Sequence, residues 1–142
     1  MDRTKLFKPI IFLAIFILLA NTIAQKLYWY YSIWWFDMPV HFLGGLWQGI
    51  FFLWYFSEVR LPFCRRPIRE MNRETIMYGI LFVLLVGVSW EAGEFLTNNL
   101  IGRESLSILD TTSDIFFDLA GGSLAFLYYV KHIMSIGLNK VE

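Results

Sequence analysis

The chain has 142 residues, of which 57% are hydrophobic, 19% aromatic and 17% charged, and its mean hydropathy is +0.53. Since an average soluble domain carries about 25% charged residues, this chain has too little polar surface to cover a soluble globule of its size. The formal net charge is zero, which argues against nucleic-acid binding. The single cysteine, Cys64, excludes an intrachain disulfide.

Four apolar segments follow one another along the chain, and each is close to the ~20 residues that a helix needs to cross a hydrocarbon core. They cover residues 6–23, 37–57, 75–96 and 110–130. The sequence therefore predicts an all-α membrane protein, with residues 1–142 forming a single transmembrane domain built as a four-transmembrane-helix bundle. The fourth segment crosses the bilayer only if Asp114 and Asp118 face protein or water rather than lipid.

The first two segments are separated by an aromatic-rich stretch, residues 28–36. Such rings favour the headgroup region, so we expect this stretch to lie along the outer membrane interface. The first segment also has a competing interpretation as a cleavable signal peptide. Because Thr22-Ile23-Ala24 is a poor cleavage site, we favour a retained first helix.

The basic residues are distributed unevenly about the four segments. Of the twelve lysines and arginines, only Lys26 and Arg103 fall between segments one and two or between segments three and four. The others lie near the termini or between segments two and three. Cytoplasmic loops are enriched in Lys and Arg, so the sequence predicts that both termini are cytoplasmic.

This topology brings half of the acidic residues to the outer end of the bundle. They come from three helices and are joined there by one of the two histidines. Their spacings of three or four residues place neighbours on one helical face. The predicted cluster consists of Asp37 and His41, Glu91 and Glu94, and Asp110, Asp114 and Asp118.

Small residues follow these acids along the same helical faces, including Gly44, Gly45 and Gly49 in the second segment and Gly121 and Gly122 in the fourth. Small residues let helix backbones approach closely in lipid. The acids are therefore predicted to face the interior of the bundle. Gln48, a lone polar residue in the second segment, is interpreted as an interhelical hydrogen-bonding group.

Carboxylates this close together need compensation, from a divalent cation, from bound protons or from Arg103. We predict a divalent metal cation such as Mg²⁺, Mn²⁺, Ca²⁺, Zn²⁺ or iron, because the donors are carboxylate oxygens and one imidazole. Arg103 and Asp110 are predicted to contact a substrate, and His41 or Glu91 to act as general base. The predicted metal ligands are Asp37, His41, Glu91, Glu94, Asp114 and Asp118.

Three motifs resemble the VanZ-like family or a sister family of small prokaryotic integral membrane proteins of unknown function. They are Asp37-x3-His41-Phe42, Glu91-x2-Glu94 and Asp114-x3-Asp118-x3-Gly122. The resemblance covers residues 37–125 and implies a multi-pass protein of the prokaryotic cell membrane. This chain is more acidic than the VanZ pattern, which usually has Gln at position 94 and Asn at position 118.

Three functions are consistent with these features. The favoured one is a cation-dependent site near the outer leaflet that binds or acts on a membrane lipid or a lipid-linked cell-wall precursor. The second is a proton or cation transporter, or an accessory subunit of one. The third is a structural or partner-binding membrane protein whose acids only hold the bundle together. Four short helices form a minimal bundle, so a homodimer is a further expectation.

Overall fold

The computed structural model describes residues 3–56, 73–100 and 107–134, and the predicted all-α class is confirmed for them. Each of the four long helices contains most of one predicted segment, and α1 and α4 extend past theirs at both ends. The length of an apolar stretch does not fix the length of a helix, because backbone hydrogen bonding can continue through the flanking polar residues. The helices are α1 (Arg3–Lys26), α2 (Trp29–Ser32), α3 (Asp37–Phe56), α4 (Arg73–Leu100) and α5 (Ile108–Tyr128), which continues as a π-helix over Tyr129–Met134.

Helices α3 and α5 form the most extensive helix pair, and their backbones touch. A Cβ atom built on Gly45 would overlap the carbonyl oxygen of Asp118, and one built on Gly121 would overlap that of Phe42. Only glycine permits such an approach. The prediction that small residues bring helix backbones together is therefore confirmed for this pair.

The close contacts also fix the directions of three helices. Along α3 and α5 they advance together, so these two helices are parallel. Along α4 and α5 they run in opposite senses, so α4 is antiparallel to both. The defining pairs are Gly45–Asp118 and Gly49–Ala125 between α3 and α5, and Gly87–Asp118 and Gly79–Phe126 between α4 and α5.

Helix α1 contacts α3 from the middle of α3 to the end opposite the predicted acidic cluster. The indole Nε1 of Trp47 donates a hydrogen bond to the Ile10 carbonyl oxygen (3.0 Å), and the Phe7 and Trp54 rings lie 5.8 Å apart. The order of these contacts makes α1 antiparallel to α3. The hydrophobic core occupies the same end and includes Leu6, Ile10, Phe52, Leu53, Phe126 and Tyr129.

Replacing Trp47 by phenylalanine removes this hydrogen bond while keeping an aromatic ring. We expect a loss of about 1 kcal/mol in the free energy of unfolding, the order found for polar contacts between membrane helices. Thermal unfolding of the detergent-solubilised protein measures the change. Trp35→Phe is the matched control because Trp35 is 50% exposed; equal effects of the two substitutions would contradict the anchoring role of Trp47.

Helices α1 and α4 contain the two stretches of the described chain that are long and apolar enough to cross a membrane, Leu6–Lys26 and Arg73–Leu100. Both also present large apolar side chains at the surface, such as Phe12 (71% exposed) on α1 and Leu85 (58% exposed) on α4. Helices α3 and α5 are not apolar enough to count as such stretches. The reason is that α3 is rich in glycine and aromatic residues and that α5 carries three aspartates.

Candidate metal centre

His41 lies in the second turn of α3 and is buried between three carboxylates, with 8% of its surface exposed. Its Nε2 atom is 3.5 Å from Oδ1 of Asp37, one helical turn earlier, and 4.0 Å from Oδ1 of Asp114 on α5. One donor atom from each of the three residues lies within 4.8 Å of the others. The parallel packing of α3 and α5 therefore brings together three of the predicted metal ligands.

Asp118 contacts the other ring nitrogen of His41. Its Oδ2 atom is 3.5 Å from His41 Nδ1, and the residue is 4% exposed. When Nδ1 carries the proton, it donates to Asp118 and leaves the Nε2 lone pair directed toward Asp37 and Asp114. Metal-binding histidines commonly show this arrangement, in which a carboxylate orients the ring from behind. The structure thus places Asp118 against Nδ1 of the imidazole, outside the group formed by Asp37, His41 and Asp114.

Glycines on two helices make room for the Asp118 carboxylate. A Cβ atom on Gly87 of α4 would lie 2.7 Å from Asp118 Oδ2, and one on Gly44 of α3 would lie 3.6 Å from Oδ1. The carboxylate is consequently enclosed by α3 and α4 while its backbone belongs to α5. Three helices meet at this side chain, as the sequence predicted.

Glu91 on α4 is also buried, with 8% of its surface exposed. Its Oε1 atom has no hydrogen-bond partner among the described residues, although the Thr111 side chain interacts with the carboxyl group. Its charge acts on both His41 and Asp114. A buried carboxylate oxygen without a partner is unfavourable, so this atom points to a partner such as a cation or its bound water.

Glu94 and Asp110 lie at the rim of the site. Both residues are exposed and line a cavity of about 1010 Å³ that also reaches Asp37, His41 and Asp118. The structure therefore brings Glu94 near the cluster but not into the group of three donor atoms. Arg103 lies outside the described residues.

Tyr30, in the short helix α2, lines the same cavity. Its hydroxyl donates a hydrogen bond to Asn21 Oδ1 on α1 (2.9 Å). Burial raises the pKa of Tyr30 to about 12, and the negative charges of Asp37 and Glu94 contribute to the rise. The hydroxyl therefore stays protonated at neutral pH and serves as a hydrogen-bond donor.

Residues 2–134 match a family described as "Predicted membrane protein (DUF2238)". The chain belongs to this family. No curated protein and no solved structure matches the chain. The family description supports a membrane location, in agreement with the two membrane-length helices, and it does not mention the VanZ-like family.

For two residues near the site of this DUF2238 protein, the structure either differs from the sequence prediction or adds a residue that was not predicted. Gln48 lines the cavity, and its Oε1 atom is buried without a hydrogen-bond partner among the described residues. The interhelical hydrogen bond expected for the Gln48 side chain is therefore not made by this oxygen. Thr111 was not predicted. Its position three residues before Asp114, on the same face of α5, is the signal that points to it.

The donor set of this family member suits a cation. Two carboxylate oxygens and one imidazole nitrogen converge, a third carboxylate orients the ring, and Glu91 offers a further unpaired oxygen nearby. Oxygen-rich sites with one imidazole suit hard or borderline divalent ions. The Asp37–His41–Asp114 group could thus hold a divalent metal ion.

Proposed function

We propose that the protein crosses the membrane four times, with both termini in the cytoplasm. The helix directions support this topology. Since α1 and α4 run in the same sense and α3 runs against them, α3 provides the return crossing between them, and α5 returns after α4. The basic residues Lys8, Arg73 and Lys131 lie toward the end opposite His41, which fits a cytoplasmic location for that end.

We further propose that the outer end of this bundle binds a divalent cation. The observation that carries this proposal is the convergence of one donor atom each from Asp37, His41 and Asp114 within 4.8 Å. Asp118 holds the imidazole in the metal-binding tautomer. Three protein ligands leave coordination positions for water or for a ligand oxygen, which is typical of reactive rather than purely structural metal sites.

The bound cation would coordinate the phosphate group of a membrane lipid or lipid-linked envelope precursor in the outer leaflet, or activate water to hydrolyse it. Glu91 is the better candidate for the general base, because both ring nitrogens of His41 are engaged. Asp110 and Glu94, at the rim, would face the headgroup. A VanZ-like kinship remains part of this proposal and rests on the motifs of α3, α4 and α5.

The test is the Mn²⁺ content of the purified protein after equilibration and desalting, measured by elemental mass spectrometry. We expect about one Mn²⁺ per wild-type chain and at least a tenfold weaker affinity in Asp114→Asn, since even outer-sphere partners contribute roughly 10–100-fold. Glu91→Gln should keep the metal and lose any hydrolysis of a lipid phosphate.

The control is Glu74→Gln, which neutralises a carboxylate in the first turn of α4, at the other end of the bundle. Its Mn²⁺ content should equal that of the wild type. The metal proposal would be removed if the wild-type protein retained no Mn²⁺, Mg²⁺, Ca²⁺, Zn²⁺ or iron and the Asp114→Asn variant had the same thermal stability as the wild type.

A further inference from the structure

The cavity beside the metal centre continues into the part of the bundle that the proposed topology places in the membrane. Its walls come from α1 on one side and α4 on the other, and α3 forms its floor. The α1 residues that line it extend from Ala14 to Gln25. At 1.5 Å per residue this is roughly 16 Å, about half of a ~30 Å hydrocarbon core.

The chemical character of the cavity changes along its length. The outer end carries Asp37 and Glu94, whereas the deeper side walls are apolar at Ala14 of α1 and Val86 of α4. The Asp118 carboxylate lies at the level of Val86, because the adjacent Gly87 packs against it. The cavity thus combines a polar outer end with apolar side walls at depth. An amphiphile whose polar group faces outward matches this gradient.

The cavity also opens sideways. Leu18 of α1 and Trp90 of α4 line it, yet they are 66% and 56% exposed. In a bilayer, the medium beside such an opening is lipid. An apolar protein helix fits less well, because it would bring no anionic group to the cation that we propose for Asp37, His41 and Asp114.

We propose that this groove between α1 and α4 binds the hydrocarbon chain of a single phosphate-bearing lipid, which reaches the site laterally from the outer leaflet. The inference rests on the proposed function, since the phosphate group of the same lipid contacts the cation held by Asp37, His41 and Asp114. The volume of the cavity, about 1010 Å³, lies at the upper end of the range of roughly 300–1,000 Å³ for ligand pockets.

Gln48 gives the groove a polar contact at depth. It lies seven residues beyond His41 on α3, roughly 10 Å deeper, and it lines the cavity, while its buried Oε1 atom has no hydrogen-bond partner among the described residues.

The experiment uses the full-length protein in dodecyl maltoside, loaded with Mn²⁺, and native mass spectrometry as the readout. The probes are dioleoyl phosphatidic acid, dioleoylglycerol, which has the chains without the phosphate, and glycerol 3-phosphate, which has the phosphate without the chains. We expect phosphatidic acid to bind at least about tenfold more tightly than either partial ligand, because both ends of the cavity contribute.

Two variants add bulk to opposite walls of the groove at residues that are not themselves metal ligands. Ala14→Phe and Val86→Trp should each weaken phosphatidic acid binding by about tenfold or more. Their controls are Ile15→Phe and Leu85→Trp, which change neighbouring residues that are exposed outside the cavity and should bind the lipid as the wild type does.

Two results would overturn the inference: glycerol 3-phosphate binding as tightly as phosphatidic acid, or unchanged lipid binding in both groove-filling variants. The Mn²⁺ content of every variant separates this failure from failure of the metal centre. Groove variants that keep Mn²⁺ but lose the lipid support the groove. A wild-type protein without Mn²⁺ that still binds chain-bearing lipids, with the same loss in Ala14→Phe and Val86→Trp, supports the groove and refutes the cation site.

Discussion

Replacing Gly45 by alanine is expected to lower the free energy of unfolding by about 3 kcal/mol, at the upper end of the effects of overpacking. The added methyl group would overlap the Asp118 carbonyl oxygen. A backbone atom in a helix cannot turn aside as a side chain can, so α3 and α5 must separate. Their separation also pulls His41 away from Asp114 and Asp118, so we expect loss of the metal centre together with the loss of stability.

Two other glycines provide matched controls for this substitution. Gly44 is adjacent in sequence, but its added Cβ atom would lie 3.6 Å from Asp118 Oδ1, an ordinary contact, and that of Gly93 would meet nothing within 4 Å. We expect Gly44→Ala to be mild and Gly93→Ala to stabilise α4 by up to about 1 kcal/mol. Thermal unfolding in detergent measures all three, and a Gly45→Ala variant as stable as Gly44→Ala would show that the backbones do not touch.

His41→Gln is expected to weaken Mn²⁺ binding by more than about 100-fold, since it removes the central ligand while outer partners alone contribute roughly 10–100-fold. Glutamine retains a polar side chain of similar length, which limits the effect on folding. Asp118→Asn should give the smaller, outer-partner effect, because it leaves the three ligands in place and only loosens the imidazole. Calorimetric titration of Mn²⁺ into the chelator-treated protein measures both.

The order of the two effects distinguishes a ligand from a positioning residue. Should Asp118→Asn abolish binding as fully as His41→Gln does, Asp118 would be a direct ligand and the ring would face the ion through Nδ1. Equal and small effects of both variants, at unchanged thermal stability, would mean that the imidazole has no part in holding a cation.

The sequence predicted the existence and type of the long helices better than their ends. The start of α3 at Asp37 agrees with the predicted segment, and α1 begins before and ends after residues 6–23. The hydropathy of a segment reflects the solvent around a helix, whereas the positions of the helix ends depend on backbone hydrogen bonding. The aromatic stretch was predicted to lie at the interface, and its single helical turn, α2, follows Tyr28 in the left-handed conformation (φ 57°), which no spacing rule predicts.

Helical spacing predicted which acids share a face, but it could not assign their partners. Asp37 and His41 do form an i, i+4 pair. Glu91 and Glu94 are three residues apart, about 60° around the helix, and this offset places one inside the bundle and the other at its rim. The division of carboxylates between the two nitrogens of His41 depends on the register of α3 against α5, which only the packed structure supplies.

The contacting backbones of α3 and α5 fix the distance between the two helices at the candidate metal centre. The turn of α3 with His41 and the turns of α5 with Asp114 and Asp118 are spaced by main-chain contacts rather than by adjustable rotamers. The glycines that bring the two helices together therefore act on the candidate metal centre from outside it, because they set the distances between the donor atoms that a cation would meet.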